Sequence, residues 1–314
     1  MKTSLISPVL NEEKNIKKFL DSILKQTTKP DEVLIIDGGS KDKTYEILEE
    51  YSRKYKWIKA YKKIGFNISQ GRNYAIKKSK GDVIFTGDSS TKFEKDWIKK
   101  ILKGFEKNAD VVFGIWSIEP SNIVEEFLVS RTPDWNKINP KEFIPSNRQV
   151  AFKKEVWKKV GGFPEHLKRA DDNWFHLRAH KLGFKYHFVK DAKVSWILER
   201  NLRRMLKLAF LDSKTEGFSF MFIERRIYIL EFLLLLLGIN IILLGIFINL
   251  DILIYSIILG ITFSIFIGGC IPYTKFKDIK LFFVGPFLTV LLYFAHVFGV
   301  LTGIFQRAYK KIEN

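Results

Sequence analysis

Three polar, turn-rich segments break apolar runs early in the chain: residues 8–12, 37–44 and 87–91. In the second, Asp37-Gly38-Gly39-Ser40 closes an apolar stretch. Its glycines allow close backbone approach, and Asp37 can accept from a ring N–H or a ribose hydroxyl. Taken alone, the tetrapeptide is equally an ordinary turn. The first apolar run is not followed by G-x-G-x-x-G, and the chain has no G-x-x-x-x-G-K-[ST]. A bound diphosphate would have to be neutralised by a metal or by basic side chains instead. His176 and His180 stand four apart, a spacing that can face a metal, but the Glu of H-E-x-x-H does not accompany them and no metal site is expected there.

The elements that must position these loops follow from patterning. Short β-rich runs alternate with helix-like stretches: residues 5–9 then 12–24, 32–37 then 43–55, 58–61 then 69–78, 83–86 then 96–105. Such alternation predicts an α/β fold with a parallel, doubly wound sheet and right-handed crossovers. In sheets of that kind ligands bind beyond the strands' carboxyl ends, where all three polar loops fall.

Charge and hydropathy divide the chain. Residues 1–226 hold all but six of the 52 basic and all but four of the 34 acidic groups, and so +16 of the formal +18. A basic surface suits nucleic acid, an anionic membrane or an acidic small molecule. With no Arg-rich arm and no paired aromatics on a strand, nucleic acid is not the expected partner; anionic lipid is. Cys270, the single cysteine, excludes an intrachain disulfide and a thiolate cluster. The N-terminus lacks a cleavable signal pattern.

Residues 227–248, 252–271 and 281–305 are apolar runs of about 20 residues or more, long enough to cross about 30 Å of hydrocarbon. Lysines 275, 277 and 280 place the connection after the second run on the cytoplasmic side. A third crossing would carry Arg307, Lys310 and Lys311 outside, so Gly285-Pro286 is a candidate break into a re-entrant or interfacial element, leaving two or three hydrophobic helices. Residues 201–226 mix Arg203, Arg204 and Lys207 with Leu, Met and Phe, which suits either an amphipathic helix at the membrane surface or one packed on protein. The organisation expected is a domain over 1–200, an interface segment over 201–226 and a membrane region over 227–314.

The motifs of the N-terminal part resemble those of the family 2 glycosyltransferases, inverting enzymes of the GT-A (Rossmann-like, nucleotide-diphospho-sugar transferase) fold. Ser7-Pro8-Val9-Leu10-Asn11-Glu12 is similar to the family's opening strand and loop, and Asp37 to Thr44 to its nucleotide-binding segment, although a second acidic residue is commoner where Gly38 stands. Gly71-Arg72-Asn73 is similar to a helix entry near the nucleotide, and Gly81 to Ser90 to the strand leading into the metal-binding DxD motif. There Asp88 keeps the first carboxylate and Ser90 replaces the second. Pro145 to Phe152 and Gly161 to Glu165 resemble the acceptor-side strand and its turn, and Asp171-Asp172 the pair opening the helix that supplies the base.

The resemblance implies donor contacts from Pro8, Glu12, Asp37, Gly39, Ser40, Arg72, Asp88 and Arg148. It implies Mg²⁺ or Mn²⁺ at Asp88 and Ser90, with dependence weakened because a hydroxyl binds a hard cation less strongly than a carboxylate. Asp172 takes the position of the base that deprotonates the acceptor hydroxyl. Trp196 stands near a position where the family commonly has a metal-contacting histidine, and the Gln-x-x-Arg-Trp signature of polymer synthases is missing. The expected activity is a single sugar transfer from a nucleotide-diphosphate sugar to a lipid-linked or glycan acceptor. The expected setting is a multi-pass cell-membrane protein with a cytoplasmic catalytic domain. The alternative is a catalytically silent membrane scaffold of the same fold. Judged singly, Asp88 and Asp172 could be helix caps; the catalytic reading requires Asp37, Asp88 and Asp172 to meet at one mouth of the sheet.

Overall fold

The computed structural model describes residues 1–198, 200–221, 251, 254–255, 258–259, 262 and 270–313. Its contacts fall into two compact units, residues 1–119 with 133–198, and residues 120–132 with 199–314.

In the first unit the elements are β1 (Thr3–Val9), α1 (Ile16–Leu24), β2 (Glu32–Asp37), α2 (Thr44–Lys54), β3 (Ile58–Lys62), α3 (Ile68–Lys78), β4 (Val83–Thr86), β5 (Thr91–Phe93), α4 (Trp97–Phe105) and β6 (Val111–Ser117). After α5 (Ile123–Ser130), which belongs to the second unit, come β7 (Val150–Lys153), α6 (Lys154–Val160), α7 (Asp171–Lys181) and β8 (Tyr186–Trp196). The eight strands form one sheet in the order β3-β2-β1-β4-β7-β6-β8-β5.

Both faces of the sheet are covered, which is why its inner strands read as continuous apolar runs. Leu5, Val33, Ile35 and Phe85 pack with Phe19, Leu20, Ile98 and Ile101 of α1 and α4. The alternating residues Ile6, Leu34, Ile36 and Ile84 pack with Ala75, Ile76, Val156 and Phe175 of α3, α6 and α7.

The sheet is mixed, a correction to the all-parallel expectation. β3, β2, β1 and β4 are mutually parallel, whereas β7 runs antiparallel to both its neighbours, β4 and β6. The physical reason is the connection: β6 ends and β7 begins at the same edge, and a chain that re-enters without crossing over must run the other way. Between β6 and β8 the register slips from Phe113↔Phe188 to Ile115↔Lys193. Gly114 sits at that slip, where a Cβ would overlap the Ala192 carbonyl.

The second unit contains α5, α8 (Leu202–Ser219), α9 (Ile271–Phe276) and α10 (Ile279–Glu313). Phe127, Met205, Ala209, Leu281, Leu288 and Leu292 form its core. Helices α8 and α10 meet backbone to backbone: a Cβ on Gly299 would come 2.5 Å from the Phe210 carbonyl, and one on Gly217 or Gly303 would overlap the Val300 or Lys214 carbonyl. Gly299 and Gly303 thus form a small-residue seam of the kind that joins helices in membranes. The interface segment of the sequence reading therefore has a protein partner, α10. Arg307 donates to the Phe218 carbonyl (3.1 Å), close to the C-terminus of α8 where a cation is favoured.

Among the described residues, α10 is the one helix long and apolar enough to span a bilayer, over Ile279–Tyr309. It exposes Phe283, Phe287, Phe294, Phe298 and Phe305. The expected break at Gly285-Pro286 does not occur, since α10 runs through Pro286. A proline early in a long helix removes one ladder bond without ending the helix. The run 227–248 and most of 252–271 lie outside the described residues, so the described structure holds one candidate membrane helix instead of two or three.

Gly114→Ala should lower the stability of the first unit by about 3 kcal/mol, because the added methyl meets a strand backbone that cannot yield. Urea unfolding followed by tryptophan fluorescence checks this; an unchanged midpoint would mean the slip relaxes.

Candidate active site

Strand polarity gathers the chemistry. Since β1, β2 and β4 are parallel, the loops after Val9, Asp37 and Thr86 leave from one edge. Antiparallel β7 begins at that edge, which sets Arg148 beside the end of β4, where Thr86 Oγ1 donates to the Val150 carbonyl (3.0 Å). β8, parallel to β6, ends there with Trp196 opposite Thr91.

Arg72 is the centre of the cluster. It lies in the first turns of α3, whose start is fixed by a capping box in which Asn67 accepts from Gln70 N and the Gln70 side chain accepts from Asn67 N. Gly71 allows α3 to sit against Pro8, since a Cβ there would come 2.9 Å from the Pro8 Cβ. Asn73 ties the same turn to the glycine-rich loop: it donates to the Phe163 carbonyl and Glu165 Oε1, and accepts from Phe163 N and Trp157 Nε1. Arg72 between them is 2% exposed, with one guanidinium nitrogen on Asp171 and Nη2 at 3.0 Å from Asp88 Oδ1. Burial opposes its charge, but Asp171, Asp88 and Asp172 together keep it more firmly protonated than an ordinary arginine. Burial pushes the Asp171 carboxyl up; Arg72 pulls it down, Asp172 and Asp88 raise it again, and the balance is upward.

The other oxygen of Asp88 faces Arg148, with Nε–Oδ2 at 3.5 Å. The Arg148 guanidinium lies over the Trp196 ring, 3.8 Å from its centroid, and Nη1 donates to Ser146 Oγ (3.1 Å). Trp116 braces Trp196 edge-on, and Trp135 braces Trp116, each at 5.5 Å. The Asp88 side chain is thus held by two arginines and does not cap the following segment; its backbone carbonyl accepts from Thr91 N and Oγ1.

On the neighbouring strand end, Asp37 Oδ1 accepts from Gly39 N and Ser40 N (both 2.8 Å), while Oδ2 is buried with no partner. Gly39 takes φ +104°, the left-handed region glycine favours. Ser40 Oγ accepts from Asn11 N, and Thr44 Oγ1 accepts from Glu12 N, which bind loop 8–12 to loop 37–44. A Cβ on Gly38 would come 2.9 Å from the Phe66 carbonyl, so the glycine at this departure from the family pattern has a packing reason.

Asp88, Arg72, Arg148 and Asp172's neighbour Asp171 meet directly, and Asp37 with loop 8–12 stands at the same edge on β2 and β1. Asp172, beside Asp171 in the first turn of α7, accepts from Asn173 N (2.9 Å) and stays partly exposed. Ala170 just before it holds φ +54°, backbone strain of the kind concentrated at functional sites. Three features escaped the sequence reading. Asp171, not Asp172, holds Arg72; Trp196 carries Arg148; and Asn147, with both amide atoms buried and unpartnered, joins the Ser7 hydroxyl and Asp37 Oδ2 as polar atoms without protein partners. Asn147 and Trp196 are both in motifs quoted above, but types and spacing do not show which way a side chain turns.

A divalent cation does not fit this donor set well. Asp88 offers the only carboxylate in its loop, with both oxygens facing guanidinium groups, Ser90 offers a hydroxyl, and Trp196 offers no lone pair. Among the described residues no group of three His, Cys, Asp or Glu side chains is placed to hold a metal. His176 and His180 are spent on packing: His176 Nδ1 bonds Tyr186 Oη (2.9 Å), His180 Nε2 meets the Phe143 carbonyl (3.0 Å), and the His180 ring stacks on Tyr186.

An open mixed sheet with its polar loops at the carboxyl edge defines a GT-A-like α/β architecture. The solved mannosyltransferase PcManGT from Pyrobaculum calidifontis, in complex with GDP-Man and Mn²⁺, shares this fold, with TM-score 0.64 and 15% identity over 98% of this chain and 88% of that one. S. aureus TarS 1-349 in complex with UDP-GlcNAc also shares it, with TM-score 0.54 and 21% identity over 67% and 66%. The chain belongs to glycosyl transferase family 2, whose model matches residues 4–161. It is 27% identical over 217 residues to the poly(ribitol-phosphate) beta-glucosyltransferase of Bacillus spizizenii, covering 65% of this chain and 33% of that one. It is 28% identical over 210 residues to the O-antigen chain rhamnosyltransferase RfbN of Salmonella typhimurium, covering 62% and 66%. The chain therefore spans between a third and two thirds of the length of these curated relatives.

Asp171→Asn should cost about 3 kcal/mol of stability, since it leaves a buried guanidinium short of charge, whereas Asp172→Asn should cost less than about 1 kcal/mol. Paired denaturant melts test this, and equal losses would contradict the division of labour. Burial pushes the His176 imidazole down to about 3, so it is neutral in the fold and gains a proton on unfolding. Its contribution is present above the ordinary histidine pKa and fades as pH falls towards 3, at about 1.4 kcal/mol per pH unit. His176→Gln should flatten the acid limb between pH 6 and 4.5 in the same melts.

Proposed function

We propose that this glycosyltransferase moves one sugar, with inversion, from a nucleoside-diphosphate donor to a hydroxyl of a lipid-linked or glycan acceptor at the cytoplasmic face of a membrane. The observation that carries the reading is the meeting of Arg72, Arg148, Asp88 and Asp171 on the sheet edge where Asp37 presents a buried, unpartnered oxygen. The nucleoside occupies the 8–12 and 37–44 loops, with Pro8 and Glu12 along one side, Gly39 and Ser40 giving close backbone approach, and Asp37 Oδ2 accepting from the base or ribose. The diphosphate lies by Asp88, Arg72 and Arg148.

Asp172 acts as the base. Its carboxylate takes the acceptor proton as the acceptor oxygen bonds the anomeric carbon, and the carbon–oxygen bond to the nucleoside diphosphate breaks on the opposite face. Asp171 cannot serve equally, because it is buried against Arg72. The catalytic unit is residues 1–200, and α10 is its membrane anchor. UDP-GlcNAc and GDP-Man, present in the two solved neighbours, are the first donors to try.

Asp172→Asn should lower kcat by about 100- to 10,000-fold while leaving UDP or GDP binding unchanged. Membranes bearing each form, supplied with uridine and guanosine sugars, give the measurement; equal turnover by both forms would remove Asp172 from the mechanism.

A further inference from the structure

We propose that donor binding and transfer proceed without a divalent cation, with Arg148, held flat on Trp196, supplying the positive charge that the diphosphate requires. This deepens the proposed function and rests on its placement of the diphosphate beside Asp88. Two departures and one contact at one place carry it. Ser90 removes a carboxylate that would have held a cation, Trp196 removes a nitrogen ligand, and Arg148 sits against the one carboxylate left.

The charge balance agrees with the geometry. With Ser90 in place of a carboxylate, this loop carries the single charge of Asp88, and Arg148 faces it. A guanidinium stacked on an indole keeps its ring-side face occupied and its in-plane N–H groups available for phosphate oxygens. Arg148 shows that arrangement: its plane rests on Trp196, one edge meets Ser146 Oγ and another faces Asp88. It is partly exposed, whereas Arg72 is enclosed by its carboxylates, so Arg148 is the arginine that can turn from Asp88 to an arriving diphosphate. The Trp116–Trp196 edge contact keeps the platform from turning with it.

The test uses the full chain in detergent, with UDP and GDP binding measured by calorimetry in EDTA and in Mn²⁺. The wild type should bind one of the two nucleotides with affinities within about threefold in the two buffers. Arg148→Ala should weaken binding about 10- to 100-fold in both buffers, because a charge-assisted contact is lost that Mn²⁺ cannot replace at Ser90. Should that variant fail to fold by its thermal melt, Arg148→Gln gives the same comparison. The double change Ser90→Asp with Arg148→Ala should regain affinity in Mn²⁺ only. Wild-type binding that appears only with Mn²⁺ overturns the inference and leaves the donor site standing. Absence of binding in either buffer by a folded protein sinks the donor site itself, and the inference with it.

Discussion

A buried guanidinium sets the terms for the rest of the site. Taking an arginine out of water costs several kcal/mol unless carboxylates and hydrogen bonds replace the solvent, so Arg72 at 2% exposure dictates where its partners must be. Those partners are 16 and 99 residues away in the chain, at the end of β4 and the start of α7. The features around Arg72 serve this requirement. Gly71 lets α3 press on Pro8, the Asn67–Gln70 box fixes where α3 begins, and Asn73 fastens the turn 161–165 that precedes α7. A buried ion pair of this kind is weak evidence for stability and better evidence for position: it holds Asp88 and α7 at one spacing.

The direction of the strands does the remaining positioning. Four parallel strands deliver their following loops to one edge; β7, because it returns without crossing over, delivers its preceding loop there, and β8 ends there. Arg148 and Trp196 therefore arrive beside Asp88 from opposite sequence directions, one before a strand and one at a strand's end.

Much of this was legible before any coordinates, and the reasons are local. The strands at 3–9, 32–37, 58–62 and 83–86 are unbroken apolar runs because helices cover both sheet faces, and the helices between them carry their own periodicity. The three polar loops stood out because turn residues clustered where those runs stopped. What was not legible depended on partners distant in sequence. β5 is three residues long and exists by pairing with β8; the reversed direction of β7 follows from where β6 ends. The neighbours Asp171 and Asp172 have the same chemistry on paper, and only the orientation of α7 decides which one enters the core.

That adjacency has a functional logic. Successive residues at the start of a helix point about 100° apart, so one carboxylate can be buried as a counter-ion while the next remains at the surface. Had a single aspartate to hold Arg72 and also receive a proton, protonation would release the guanidinium each time and loosen Asp88 with it. In the proposed mechanism, dividing the roles leaves the Arg72–Asp171 pair undisturbed while Asp172 takes the proton. The strained φ of +54° at Ala170 is consistent with a helix start held in register by that pair and not by local preference. In that mechanism the proton arrives at a carboxylate other than the one that holds Arg72.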